Sequence, residues 1–564
     1  MSGAGHTSGA VAVDGELPPV PEAEHAPVDP SAGIDRLARD GLFGLVGAGV
    51  SAVLNLVLVI VVVHATGKPV AGVVFAVTSL FLIAVTVARL GSPTGLVYFL
   101  VRARSRRRTD TMRAIMRTGL VPVVAGSALV GAVMIIAAPA LGHWMAPAQG
   151  SAVVVPLQLL AVLVPVAAVS DTLLMGSRGF NTMRPLILVE RIGRPVGQVL
   201  LTVGAIMVGA RTAAALTSAW ALPYVVTMIV ALWWTARLLR RVERRRIRGS
   251  AVLIDDRGAG GAAGHSPEGH PADSDDGTFT ARQYWVFTAP RGLQSIVQIA
   301  LQRLDIVLVA ALIGPREAAV YAAVTRFLVF GQLGAQAITA AVQPQLGARL
   351  FARDIPGAGK VYQVSTCWLI LLTWPVYLCL VVFSRQIPTF FGHGYDAGTA
   401  VLVILGCAML VATGAGLVDV VLAMAGRTTW TLGNSVLALI VDVTLNLVLV
   451  PRIGIKGAAI AWAAAIVCNN VLPVTQLAVS MRLHPFGRGT LLAMASAGCW
   501  LGLLPVSAGI ASRGSAAVLV AAMAAGLVGY LLTAWRLRAA FEIDSLLRAA
   551  RRRPGTGAKG AAWA

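Results

Sequence analysis

Arg291, Gln294, Gln298, Gln302 and Asp305 recur at spacings of three, four, four and three residues. In a helix that spacing places all five on one face, as a polar stripe about 21 Å long at 1.5 Å per residue. Arg303 lies beside Asp305, displaced around the helix. A second stripe runs through Thr325, Gln332, Gln336, Thr339 and Gln343, and a third through Arg191, Arg194, Gln198 and Thr202. Arginine's planar fork grips phosphate oxygens in pairs. Glutamine both donates to and accepts from a sugar hydroxyl. The functional reading of these sets is a wet cavity lined by cations and amides. The same residues also suit hydrogen bonding between helices and snorkelling at helix ends. Glu190 stands one turn from Arg194, and Arg291 follows Pro290, so both readings stay open.

Three acids are candidates for carrying a proton or cation: Asp171, Asp419 and Asp442, the last one turn from Asn446. For Asp171 and Asp419 the structural alternative is capping or ion pairing to Arg178 and Arg427. No zinc pattern, phosphate-binding loop or nucleophile elbow accompanies these residues. Cys367, Cys379, Cys407, Cys468 and Cys499 lie in apolar stretches without metal-ligand spacing. The chain therefore reads as no enzyme, with no cofactor and no metal.

The elements that must position these side chains are membrane helices. Hydrophobic residues make up 57% of the chain and charged ones only 13%, about half the charge a soluble surface requires. Uncharged blocks such as 42–63 and 118–141 match the roughly 20 residues of a spanning helix. Lipid offers the backbone no partner, and the ten-residue alternation of a barrel is missing. The expectation is an all-α, polytopic membrane protein of about 14 transmembrane helices. They fall near 41–64, 69–100, 118–141, 151–175, 185–209, 212–235, 284–313, 318–343, 363–384, 398–424, 431–450, 457–480, 490–511 and 515–536. The second is too long for one crossing and should break.

Residues 1–40 read as a disordered cytoplasmic tail rather than a leader, being acidic and proline-rich with no early apolar stretch. Six spans fill 41–236. A flexible linker rich in Gly, Asp and Ser follows over 237–283, then six spans over 284–480, two more over 481–536, and a basic tail over 537–564. Trp535 to Arg553 reads as an interfacial helix. The net charge of +21 gathers in loops of one side. Lys68, Arg211, Arg316, Arg385, Arg452, Lys456 and Arg513 are left on the other. Positive charge marks the cytoplasmic side, so both termini should be cytoplasmic at the plasma membrane, and nucleic acid is not the partner.

The chain also repeats. Residues 71–79 and 318–326 agree at five of nine positions at an offset of 247, and Gly67 and Gly314 match at the same offset. Asp171 and Leu174 recur as Asp419 and Leu422 at 248. Two parallel six-helix lobes plus two extra helices follow, with a site expected between the lobes.

The stretches 303–323 and 424–461 carry a family resemblance. They include Arg303-Leu304-Asp305-Ile306-Val307, Gly314, Tyr321-Ala322-Ala323, Met424-Ala425-Gly426-Arg427, Asn434, Asp442, Asn446 and Pro451-Arg452-Ile453-Gly454. The chain resembles the multidrug/oligosaccharidyl-lipid/polysaccharide (MOP) flippase superfamily, and within it the Wzx-type polysaccharide biosynthesis flippases. The resemblance implies transport of a lipid-linked oligosaccharide, usually on undecaprenyl diphosphate, to the outer leaflet. Two lobes would rock around a central, often cationic cavity. Implied partners are the lipid-linked glycan, membrane lipids, and a polysaccharide polymerase or glycosyltransferases. The first span lacks the arginines of the lipid II flippase branch. The competing functions are an ion-coupled drug or cation antiporter on the same scaffold, and a membrane scaffold that transports nothing.

Overall fold

The computed structural model describes residues 30–105, 111–146, 150–180, 182–258, 279–513 and 515–542. Helices follow one another throughout, and among the described residues there is no strand. They are α1 (Pro30–Thr66), α2 (Lys68–Ser105), α3 (Thr111–Met145), α4 (Gly150–Phe180) and α5 (Leu186–Gly193 continuing as Arg194–Met207). Next come α6 (Ala213–Arg241), α7 (Ala281–Ile313), α8 (Pro315–Thr325 and Leu328–Phe351), α9 (Ile355–Val382) and α10 (Gly398–Met424). The series closes with α11 (Thr428–Ile453), α12 (Ile455–Met481), α13 (Arg488–Ala511) and α14 (Ala516–Arg536).

All fourteen expected spans are helical. Twelve are long and apolar enough to cross a membrane, or thirteen with the bent α8. The fourteenth, α5, places Glu190, Arg191 and Arg194 within its length. The protein is a multi-pass membrane protein.

Local chemistry explains the breaks. The long α2 parts at Leu90 and Gly91, both with positive φ (52° and 74°), a conformation glycine adopts without strain. The matched glycines Gly67 (φ 75°) and Gly314 (φ 104°) turn the chain from α1 into α2 and from α7 into α8. The 247-residue offset thus has a structural counterpart. We call the end of the bundle where α1 and α7 begin the near end, and the end holding these two glycines the far end.

The two halves meet along their repeated segments. Residues 71–79 and 318–324 are buried throughout, and a Cβ on Gly72 would collide with the Pro315 carbonyl. Small residues let backbones approach this closely. At the near end α2 touches α7 backbone to backbone, through Gly91 and Gly292. There the Tyr284 hydroxyl donates to the Ser92 carbonyl at 3.0 Å and Tyr98 stacks on Phe287 at 4.2 Å. At the far end Lys68 Nζ donates to the Gly394 carbonyl at 2.8 Å. The seam between the halves is therefore bridged at both ends. The additional pair α13–α14 docks on α9, where Leu378, Ala497, Leu501 and Tyr530 share a core and Tyr530 donates to the Leu371 carbonyl at 2.8 Å.

Three boundaries differ from the sequence reading. Residues 30–40 begin α1 instead of belonging to a tail; Pro30 suits a first helical position, and the Leu-Ala-Arg run at 37–39 favours helix leading into the span. The α6 helix runs on from Arg241 to Gly258, because its Arg-rich run sustains a helix already nucleated by the span. The linker is thus helical at its start, and 259–278 lie outside the described residues. The expected interfacial helix from Trp535 stops at Arg536. The next residues turn back so that Phe541 is buried against Cys367, Ile370 and Ala493, while its carbonyl accepts from Trp368 Nε1 at 2.9 Å. An apolar pocket outcompetes the surface for that ring. Residues 1–29 and 543–564, with most of both expected tails, lie outside the described residues.

Candidate functional site

Between the halves lies a cavity of about 420 Å³, walled by α1, α2, α5 and α6 on one side and α7 and α8 on the other. A ligand pocket is usually about 300–1,000 Å³. Four arginines line it: Arg191, Arg194, Arg303 and Arg326, with Glu190 as the single acid. Asn55, Gln198, Tyr224 and Gln336 add polar groups. A narrower extension shares Asn55, Arg303 and Arg326 and reaches Thr78 and Thr202.

The α5 wall has an unusual backbone. Residues Leu186–Gly193 form a π-helix, in which the Arg194 N–H bonds to the Val189 carbonyl five residues back. Pro195 explains it: proline has no N–H and its ring crowds the carbonyl four residues earlier, that of Arg191. Widening the turn relieves this, and π turns recur at functional sites. Here the turn brings Glu190, Arg191 and Arg194 together onto the cavity wall.

Arg194 has an ion-pair partner, although its Nε is buried without a hydrogen bond. It bonds Asp171 at 2.6 Å and lies 4.3 Å over the Tyr224 ring. Asp171 also faces Arg89 at 3.5 Å. The sequence had suggested Arg178 as its partner; folding brings α2 and α5 to the end of α4 instead. Arg191 Nη1 donates to the Gly44 carbonyl at 3.3 Å, tying α5 to α1.

The opposite wall differs. Arg303 and Arg326 form no ion pair among the described residues, and the Nε of each is buried without a hydrogen-bond partner. The natural counterion, Asp305, is occupied: it accepts from the Ile306 N–H at 2.8 Å and from the Tyr321 hydroxyl at 2.5 Å. A buried cation without a partner is costly. Two such cations face one cavity, where an anion would supply the missing partner.

The rest of the α7 stripe points elsewhere. Gln294 donates to Ser435 of α11 at 3.1 Å. Gln298 and Gln302 are exposed, and Arg291 folds back to donate to the Phe287 carbonyl at 2.7 Å. None of these four lines the cavity, and neither does Gln332 among the α8 residues. Helical spacing shows which residues share a face; packing decides what that face meets. Arg326 was overlooked. It occupies the position of Ser79 in the repeated nonapeptide, where a large cation replaces a small buried hydroxyl, and it sits at the 42° bend of α8.

Asp442 and Asn446 are both fully buried on α11. Asn446 Nδ2 donates to Asp442 Oδ1 at 3.1 Å, while Asp442 Oδ2 and Asn446 Oδ1 have no partner. Asp442 is within electrostatic range of Asp305. Asp419 lies in a break of α10 at the start of a short helical turn, Val418–Met424. Arg427 stacks on Trp430 instead of pairing with it. No group of three or more metal-ligating side chains occurs among the described residues.

Paired helical halves around an arginine-lined cavity define a class: polytopic, two-lobed helical membrane proteins. The MatE family model matches residues 290–448, from α7 to α11. No curated protein matches the sequence. Among solved structures, the lipid II flippase MurJ in an inward closed conformation superposes with a TM-score of 0.61, at 12% identity over 90% of this chain and 100% of that one. An inward-facing multidrug resistance MATE family transporter of the MOP superfamily gives 0.55, at 14% identity over 80% and 95%. The Vibrio cholerae MATE transporter VcmN, as its D35N mutant, gives 0.54, at 16% identity over 82% and 99%. At such identities these likenesses show a shared fold.

Proposed function

We propose that this protein carries a lipid-linked, diphosphate-bearing oligosaccharide from the inner to the outer leaflet by alternating access. The observation that supports it is the pair Arg303 and Arg326, half-buried at the seam, each with a buried Nε lacking a hydrogen-bond partner and with no ion pair among the described residues. A diphosphate supplies the missing charge and acceptors in the bidentate geometry that guanidinium prefers. The charge pattern of the loops supports cytoplasmic termini at the plasma membrane. A drug or cation antiporter would call for an acidic cavity, and one glutamate among four arginines argues against it. A polar, partly open seam also argues against a non-transporting scaffold. Of the proposed ion-coupling acids, Asp171 is engaged by two arginines. Asp442, with Asp305 nearby, is the better carrier of a coupling ion, while Asp419 has no comparable neighbours.

Deleting the protein should trap a lipid-linked glycan in the inner leaflet. Unchanged export of every envelope glycan would refute the proposal. Arg303→Ala should impair transport at least tenfold more than Arg548→Ala at equal expression, a loss equivalent to about 1.4 kcal/mol or more of cargo stabilisation. Equal transport by the two variants would remove Arg303 from the site.

A further inference from the structure

The cavity has two poles of different character. At one, Arg303 and Arg326 lie within electrostatic range of each other and of Asp305. At the other, Glu190 neighbours Asp171, Arg89, Arg191 and Arg194. Both poles hold an arginine Nε with no hydrogen-bond partner, but the arginines of the first, Arg303 and Arg326, also form no ion pair among the described residues. The second is close to charge balance, and Glu190 Oε2 is buried there with no hydrogen-bond partner. A site that only held an anion would gain nothing from this carboxylate, which repels a diphosphate. Its unpartnered oxygen also bears the cost of desolvation without a compensating bond.

We infer that Glu190 reads the sugar: the diphosphate sits on Arg303 and Arg326, and a hydroxyl of the first hexose donates to the Glu190 carboxylate across the cavity. This rests on the anion site proposed above and adds a specificity residue to it. The cost of the buried acid is offset only when the cargo bears a donor next to its diphosphate. A bare lipid diphosphate leaves Glu190 unsatisfied and repelling. The cavity then discriminates the loaded carrier from the spent one, in the way that a site built to hydrogen-bond a hydroxyl rejects the analogue lacking it. The π turn at Leu186–Gly193 contributes by presenting Glu190 on the same wall as Arg191 and Arg194.

The test is binding of two probes to purified full-length protein: a short-chain prenyl diphosphate, and the same compound carrying one hexose. The unaltered protein should prefer the hexose probe. Glu190→Met should weaken that probe about tenfold and leave the sugar-free probe unchanged or tighter, because a repelling charge is gone. Glu190→Gln, which keeps an acceptor in the same shape, should retain part of the preference and guards against a folding defect in the first variant. Arg303→Gln and Arg326→Gln should weaken both probes. If Glu190→Met and Glu190→Gln shift both probes by the same factor while the arginine variants weaken both, the role of Glu190 is overturned and the anion site stands. If neither probe binds, or the arginine variants leave both unchanged, the anion site falls and the inference with it.

Discussion

Helices α5 and α11 occupy corresponding places in the two halves, and their chemistry is opposed. At the offset of 248 that relates Asp171 to Asp419, Arg194 corresponds to Asp442 and Gln198 to Asn446. In the first half the charge is answered: Arg194 has Asp171 and the Tyr224 ring. In the second half Asp442 and Asn446 each keep a buried oxygen with no partner. The second half also separates its charges, sending Arg303 and Arg326 to the cavity while Asp305 turns inward to Tyr321. The two halves share the glycine turns and the repeated segment but not the ion chemistry. The first half pairs its central arginine with an acid, whereas the second leaves Arg303 and Arg326 without an ion pair among the described residues.

The sharpest way to break this comparison is to neutralise each half in turn. Arg303→Gln with Arg326→Gln should abolish transport and leave the melting temperature in detergent unchanged or higher, since two half-buried charges without an ion pair are removed. Arg194→Gln should instead destabilise by roughly 3 kcal/mol, because it strips the close partner from a buried acid; Arg89 at 3.5 Å softens the loss. Thermal unfolding that ranked the two variants the other way would end the distinction between paired and unpaired halves. Asp442→Asn comes next. It should not lower stability, but transport should lose its dependence on the coupling ion, read as a flat response to pH or sodium in proteoliposomes. A retained ion response would move coupling elsewhere. The smallest effect belongs to Gln298→Ala and Gln302→Ala, which should keep transport within about twofold, the scale of an exposed substitution. A large loss in either would place the α7 stripe back on the cargo path.

Much of the site was half visible. Arg191, Arg194, Arg303 and Gln336 could be named because a charge or amide in an apolar span stands out against its neighbours. Asn55 on α1 carried the same signal, a lone amide in an apolar span, and was passed over; Tyr224 on α6 gave none, since one aromatic residue in a span is unremarkable. Arg326 had a signal, the Ser-to-Arg exchange between the two copies of the repeat. The α7 glutamines misled because periodicity defines a face and is silent on what covers it.

The sequence by itself determined the helices, their succession, the six-plus-six-plus-two grouping and the turns at Gly67 and Gly314. These follow from local rules: lipid forces the backbone to satisfy itself, and positive φ favours glycine. Only the tertiary structure decided which charges are answered. The partners of Asp171 come from α2 and α5, and Asp305 takes Tyr321 rather than the neighbouring Arg303. Ion pairing depends on distances of a few ångströms between segments far apart in the chain. No spacing along one helix encodes them, so the cavity's unpaired charge becomes visible only once the halves are packed.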